Sequence, residues 1–429
     1  MGIVDKEAVS MKEHLIGQEH GPLHGVRVML TGVAFAGPFA ARWLGDMGAE
    51  IIKIEIPGAG DTSRIGRRVG EANVVPKWIS LGRNMNSFEF NMNFDTCPDS
   101  KQVFEDLVKQ CDIWINSVPN IGKHGATDEL AFAANPKLVI VHVTGYGLPE
   151  NGGDERLLGR PSVDPVAQAF SGLAAMQGMP DGPFLTANPI LCDIVTAHQA
   201  ACGALAAYIN VQHTGKGQVV DASLYESAAY LMSYHWCSQL NGEGLYHRSG
   251  PLNQLWRPFG YYECKDGEWV AVGVWGLGIW QKFCDLMGVS VDDFPYMATC
   301  GQEDPEKVAQ MDAIWQEYLD HHTAVEVEAA FMEAGMPTSK LNNAEDAYRH
   351  PHWQARGDFI TIEDVTSGEP FIDIATSPKF NGTPCTVYKG APLLGQESDL
   401  IMKDILGYDD ERIEQLKESG SVAASLITK

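Results

Sequence analysis

Among the residues able to do chemistry, Asp193 holds the most useful place in the sequence. It follows Asn188-Pro189-Ile190-Leu191-Cys192 and opens a stretch of small residues, including Ala197, Ala200, Ala201, Gly203 and Ala204. That stretch reads as one long helix over 193–212, with Gly215 as its C-cap. Asp is a favoured helix N-cap, and its carboxylate gains about 1 kcal/mol there. The same placement keeps a carboxylate ionised as a nucleophile, and backbone amides nearby can stabilise a developing oxyanion. The two roles are compatible.

A second candidate is the turn Gly32-Val33-Ala34-Phe35-Ala36-Gly37, between a β-rich run and a helix, with Glu55 closing the next strand. In outline it is similar to a dinucleotide-binding unit, where a helix N-terminus faces a pyrophosphate and an acid takes a ribose hydroxyl. The glycine spacing differs from GxGxxG, and no lysine follows to make a P-loop, so a plain strand-to-helix turn fits as well. His321 and His322 are adjacent and face differently, while His350 and His352 flank Pro351. No HExxH and no Cys/His cluster at ligand spacing occurs, and no metal is expected. The absence of a Gly-x-Ser-x-Gly elbow argues against the usual α/β serine hydrolase.

These residues need a scaffold, and the first 150 residues supply one. Val26–Leu30, Ile51–Ile56, Ile113–Ile115 and Leu138–Val143 read as strands, separated by helical stretches such as Phe39–Met47 and the segment around Val103–Val108. Such alternation predicts βαβ units and a parallel sheet, an α/β fold with a Rossmann-like large domain. Gln218–Leu224 reads as one more strand. Phe259–Cys264 and Glu268–Val272, joined through Lys265-Asp266-Gly267, form a hairpin signature. A large domain is therefore expected over 20–224 and a smaller α+β domain over 225–345. A C-terminal segment, 346–429, would return to the large domain, with loops and one polar helix near Asp409–Ser419.

The 429 residues are 45% hydrophobic and 20% charged, which allows a substantial core. Lys and Arg number 31 against 56 for Asp and Glu, a net charge of −25. That disfavours nucleic acid and anionic membrane as partners. The nine cysteines contain no CxxC pair and read as reduced thiols of a cytoplasmic protein. The segment Met1–Glu7 lacks the order of a secretory signal, and no run of 18 apolar residues predicts a membrane span.

Nine short segments, taken in order, carry a family resemblance. Gly21–Val28 leads to Ala36–Phe39 and Gly48–Glu55, then Gly60-Asp61-Thr62-Ser63-Arg64. Asn135–Val139 leads to Thr144-Gly145-Tyr146-Gly147, followed by Ala167–Gly172. Thr214–Gln218 and Gly390–Gly395 extend the pattern, so that it covers about residues 20–420. The chain resembles the family III CoA-transferases, and within them the carnitine and bile-acid-inducible branch, particularly through Ala167–Gly172 and His352–Gly357.

The resemblance implies that Asp193 is the catalytic nucleophile. It would form a mixed anhydride and then an aspartyl-CoA thioester while CoA moves from an acyl-CoA to a free carboxylic acid. It also implies coenzyme A contacts at Phe35, Ala36, Arg83, Asn84, Lys123 and His124. At two places where relatives carry basic CoA contacts this chain has Pro119 and His124, and Lys123 can supply the charge. An interlocked homodimer is expected. Small carnitine-like betaines rank first as acids and bile acids second. Arg248–Trp256 lacks the glycine run of formyl-CoA transferases, which disfavours oxalate. Tyr246, Trp256, Tyr261 and Tyr262 are aromatic enough to line an acyl pocket. An α-methylacyl-CoA racemase is the alternative, but its His-Asp pair is missing, since Val163 precedes Asp164.

Overall fold

The computed structural model describes residues 16–70, 73–242, 247–365 and 367–423. The calls on the first seven residues and on Tyr246 lie outside them. The chain divides into two compact units. One combines residues up to 171 with 188–231 and 354 onward, and the other combines 172–187 with 232–353.

The first unit is built on six parallel strands: β1 (Arg27–Leu30), β2 (Glu50–Glu55), β3 (Met85–Glu89), β4 (Ile113–Asn116), β5 (Val139–Thr144) and β6 (Gln218–Ser223). Their spatial order is β3-β2-β1-β4-β5-β6. β1 to β4 are buried along their whole length, as expected of a parallel sheet covered on both faces. Even Lys53 of β2 has no exposed surface. Its ammonium sits 2.6 Å from the buried Asp61 carboxylate and also donates to the Gly32 carbonyl.

The crossovers are α1 (Ala36–Asp46), α2 (Pro76–Gly82), α3 (Asp99–Gln110), α4 (Asp128–Ala134), α5 (Asp164–Phe170) and α6 (Leu191–Thr214). α6 packs on α1, β5 and β6. Small residues make this possible: Ala197, Ala200, Ala201 and Ala204 are fully buried, and a Cβ at Gly203 would lie 2.7 Å from Val220 Cγ1. By length and a mean hydropathy of 1.2, α6 also has the makings of a membrane span, which the sequence reading did not anticipate. In this unit its small apolar residues are taken up by α1 and the sheet. α7 (Leu224–Leu240) follows β6 and is interrupted at Ser233, where φ is 33°.

The C-terminal part of the chain completes this unit. It contains an antiparallel hairpin, β10 (Phe359–Glu363) with β11 (Pro370–Ile374), where the sequence suggested only loops. Beyond it, residues 389–398 run along β3. Ser87 N–H donates to the Glu397 carboxylate (2.7 Å), Glu397 N–H donates to Ser87 O (3.1 Å), and Glu89 N–H donates to Ser398 Oγ (3.1 Å). The exposed-edge problem of an open sheet is thereby solved on the β3 side. The terminal helix Asp410–Glu418 is capped by Asp409, which accepts from Arg412 N–H.

The second unit holds the expected hairpin, β7 (Phe259–Glu263) with β8 (Trp269–Gly273), and adds β9 (Thr338–Lys340) antiparallel to β8. Gly267 turns it with φ 76°, a conformation that favours glycine. Its core is aromatic, with Trp280, Phe283, Trp315 and Phe331 buried together. Residues 172–187 belong here because Gly250 N–H donates to Gly178 O and Arg248 donates to the carbonyls of Pro180 and Gly182.

Candidate active site

The strand order reverses between β1 and β4, and loops leaving the carboxyl ends of those two strands meet there. In open α/β sheets this is where ligands bind. The glycines of the turn serve that meeting. Val33 N–H donates to Ser117 Oγ (2.9 Å), and the Ser117 hydroxyl donates to Val33 O (3.2 Å). A Cβ on Gly37 would stand 2.6 Å from Ser117 Oγ, so a larger residue would push the two loops apart. Ala34 in the same turn is held at φ 70°, a costly conformation for a residue with a Cβ.

Asp193 approaches this turn from α6. It is not the N-cap expected from the sequence. The cap position belongs to Ile190, a β-branched residue held in the left-handed region (φ 31°, ψ 53°) without a capping side chain of its own, and Asp193 is the third residue of the helix. The missing cap is supplied by another helix: the Asp164 carboxylate, buried at the start of α5, accepts from Cys192 N–H (2.7 Å) and from the Gln168 amide (2.6 Å). Asp193 is thereby left with its carboxylate towards α1, where the backbone N–H of Ala36 favours its charged form. Two strained residues, Ala34 and Ile190, thus bracket one carboxylate.

Burial raises the Asp193 pKa to about 6, and the negative charge of Asp164 pushes in the same direction. The Ala36 N–H and the positive charge of Lys77 oppose the rise. Asp193 is therefore ionised near neutral pH and more basic, hence more nucleophilic, than an ordinary carboxylate. The neighbouring Cys192 is no competitor. Burial and Asp164 push its thiol up to about 12, so it stays protonated.

The other expected site residues separate into three groups. Phe35 and Ala36 sit at the nucleophile. Lys123 and His124 are exposed on a short turn, Ile121–His124, in the loop leaving β4. Arg83 and Asn84 lie at the opposite end of α1, about 15 Å away at 1.5 Å per residue. Arg83 donates to Asp46 (2.6 and 3.1 Å), to Asp373 (2.9 Å) and to the Ile374 carbonyl (2.6 Å), and is 1% exposed. Asn84 bonds Asp46, Thr386 O and Tyr388 N–H. Both residues bind the returning C-terminal segment to α1 and are buried away from any ligand, each 1% exposed.

Glu55 is likewise withdrawn from the ribose role. It is buried and held by Arg64 (2.6 and 2.8 Å), Ser87 Oγ and Asp61 N–H. Of the aromatic set, Tyr262 packs edge-on against Trp315 in the core of the second unit. Trp256 stacks on Tyr296 with Trp275 beside it. Among the described residues no group of His, Cys, Asp or Glu is arranged to hold a metal. The sequence reading missed Lys77 altogether and gave Asp164 only to the racemase alternative. The signal available for Asp164 was its place just before a Pro-initiated helix.

Comparison with known proteins bears on this geometry. Residues 23–398 match the model of CoA-transferase family III. The bile acid CoA-transferase BaiK of Clostridium scindens is 31% identical over 95% of this chain and 90% of its own length. The L-carnitine CoA-transferase of Proteus mirabilis is 30% identical over 96% and 98%. The succinyl-CoA–L-malate CoA-transferase beta subunit of Chloroflexus aurantiacus is 29% identical over 92% and 97%. The fold is shared with a CAIB/BAIF family protein from Brucella suis, with a TM-score of 0.74 at 22% identity, covering 90% of this chain and all of that one. A parallel sheet of this order, a half-buried carboxylate at its switch point and a family match across nearly the whole chain converge: the chain belongs to CoA-transferase family III and is a CoA-transferase.

Proposed function

We propose that Asp193 is the nucleophile of this transferase, and the observation that carries the reading is its half-buried carboxylate near the Ala36 N–H at the switch point of the sheet, with its pKa raised to about 6. A carboxylate oxygen attacks the donor thioester carbonyl, the C–S bond breaks, and CoA thiolate leaves a mixed anhydride. The thiolate then attacks the Asp193 carbonyl, expelling the donor acid and forming an aspartyl-CoA thioester. The acceptor carboxylate attacks that thioester and releases the thiolate again. Attack of the thiolate on the acceptor's carbonyl yields the new acyl-CoA and regenerates the Asp193 carboxylate. No net proton moves. The Ala36 N–H, fixed at the start of α1, is placed to donate to the oxygen that carries charge at each stage.

Phe35, Ala36, Lys123 and His124 are the residues proposed to meet CoA, the thioester end at the turn after β1 and the basic pair at the loop after β4. Arg83 and Asn84 contribute by anchoring α1. A racemase would need the histidine missing before Asp164, whose carboxylate is already occupied by Cys192 N–H and Gln168. For the acid, the resemblance favours a carnitine-like betaine first and a bile acid second. The stacked Trp256 and Tyr296, with Trp275 61% exposed, are of a kind that receives either a trimethylammonium or a sterol face.

A second copy of the chain is the proposed partner, in an interlocked homodimer. Supporting it are the exposed apolar residues Val219 on the edge strand β6, Ile209 on α6 and Tyr230 on α7. All nine cysteines are free, which suits a reducing cytoplasm. The test of the mechanism is a covalent one. Protein mixed with acyl-CoA should carry an adduct that hydroxylamine cleaves, mapped to the peptide containing Asp193. Turnover with the adduct on another residue would overturn the assignment.

A further inference from the structure

A row of polar side chains crosses the sheet at the carboxyl ends of its central strands. Thr31 follows β1, Asn116 closes β4, and His142 lies on β5 opposite Asn116 in register. All three are buried. Two carboxylates stand beside the imidazole. Asp128, in the first turn of α4, lies 2.9 and 3.0 Å from His142 Nε2 through its two oxygens. Asp221 is opposite His142 on β6, and its Oδ2 accepts from Leu148 N–H and the Asn151 amide, both at 2.8 Å. The Trp114 ring stands edge-on to the imidazole at 6.1 Å.

The partners of this row assign its protons. Trp114 Nε1–H donates to Thr31 Oγ1 (2.9 Å), so the Thr31 hydroxyl turns its own proton to Asn116 Oδ1 (2.9 Å). Val118 N–H donates to the same Oδ1 (3.0 Å), while Asn116 Nδ2 donates to Val118 O (3.3 Å). A turned amide would set donor against donor at Val118 N–H and oxygen against oxygen at Val118 O. Asn116 Nδ2 therefore also donates to His142 Nδ1 (3.1 Å), which must be an acceptor. That assigns His142 as a neutral imidazole, with its proton on Nε2 and directed at Asp128.

We propose that neutral His142 is a positioning residue for the two loops that receive CoA. The inference rests on the reading that brings CoA to the turn after β1 and the loop after β4. Asn116 fastens the start of the second loop through Val118. Between them Ser117 exchanges hydrogen bonds with Val33 of the first loop, and Lys123 and His124 follow on the second. The Nδ1 lone pair completes the bonding of the amide on which Val118 depends. A proton on Nδ1 would meet the Asn116 Nδ2 donor, and the amide must then turn or withdraw. Either course breaks its bonds to Val118, and an unsatisfied buried donor is costly. Asp128 accepts from Nε2 in imidazole and imidazolium alike, so the added proton acts at Nδ1. By linkage CoA favours the neutral ring, and acid weakens CoA binding through His142.

The test is calorimetric titration of the full chain with CoA, between pH 8 and about pH 5.5, in wild type, His142→Asn and His142→Gln. The Asn carbonyl oxygen can stand where Nδ1 stood. Gln reaches Asp128 instead and leaves Asn116 without an acceptor. At pH 8 His142→Asn should bind CoA within about threefold of the wild type, and His142→Gln about tenfold more weakly, the scale of one unsatisfied buried donor. Over the acid range the wild type should lose about tenfold more affinity than His142→Asn. Other ionisable groups, Asp193 and His124 among them, are common to both proteins, so the difference belongs to His142. Equal pH dependence in the two overturns the inference. So does a histidine ¹⁵N spectrum, assigned by the resonances missing in His142→Asn, that shows the proton on Nδ1. These two measurements decide the matter even where His142→Gln does not fold. Lys123→Gln separates the possible failures. If it weakens CoA binding and the His142 variants do not, the CoA loop stands and His142 positions nothing. If it leaves CoA binding unchanged, the CoA reading of that loop falls and this inference falls with it.

Discussion

The two ends of α1 are built from the same materials and put them to opposite uses. At the C-terminal end Asp46 is enclosed by Arg83, Arg42 and Asn84, and the set is closed by Asp373 and two backbone carbonyls. At the N-terminal end Asp193 has the Ala36 N–H, a like charge in Asp164 and a distant cation in Lys77. A carboxylate whose charge is fully answered holds chain segments together. One whose charge is half answered keeps free energy that it can release by reacting.

The largest effect that this contrast predicts is at Asp193. Asp193→Ala should lower transfer at least 10⁴-fold, a loss on the scale of removing a nucleophile, with CoA binding retained in calorimetry. Asp193→Asn should be equally inactive and more stable than the wild type at pH 8. The sign follows from the raised pKa: the ionised form is disfavoured in the fold, so the wild type bears a cost above pH 6 that disappears as pH falls from 6 towards 4. The expected gain is about 1–2 kcal/mol at pH 8 and none at pH 4, read from urea unfolding at the two pH values. Equal stability at both would show that the charge carries no strain.

At the other end, Arg83→Ala should act on stability. Leaving Asp46 and Asp373 without their shared cation costs about 3–5 kcal/mol, the usual penalty for breaking a buried pair. Thermal unfolding should reveal it, while the folded fraction keeps its turnover. A stable Arg83→Ala protein with weakened CoA binding would return Arg83 to the ligand.

Gly37→Ala tests the loop junction between the ends. Its Cβ would stand 2.6 Å from Ser117 Oγ, and crowding of this kind costs about 1–3 kcal/mol. Ser117→Ala in the same protein should recover part of that loss, and purely additive costs would place the contact elsewhere. The smallest effect is expected of Asp164→Asn. Transfer requires ionised Asp193, so activity should fall below about pH 6. Removing the Asp164 charge should move that limb to lower pH by a fraction of a unit, because burial, the larger cause, remains. A limb that moves upward would reverse the sign assigned to Asp164.

The sequence shows β1, β2, β4 and β5 because each is a short apolar run, but β3 goes unread, since Met85-Asn86-Ser87-Phe88-Glu89 holds no such run. The hairpin of β10 and β11 alternates too, but Gly368 and Pro370 stand so close to it that the stretch reads as loop. Asp193 was legible as a residue but not in its geometry. Nothing in Asn188–Cys192 announces that Ile190 takes a left-handed conformation, or that the cap arrives from Asp164 on a separate helix. Lys77 could not be found at all, since its importance exists only once α2 lies beside α1. Arg83 was misleading for the complementary reason, that a basic residue gives no sign in sequence of the acids that will enclose it.

The bonds between Ser87 and Glu397 join residues 310 positions apart. A ribosome releases β3 long before it makes the segment that runs along it, and the whole second unit is synthesised in between. For all that time the edge of β3 stands open to any other unpaired strand in reach. The nascent chain therefore has a built-in waiting period, during which the β3 edge is a site for wrong pairing until residues 389–398 arrive.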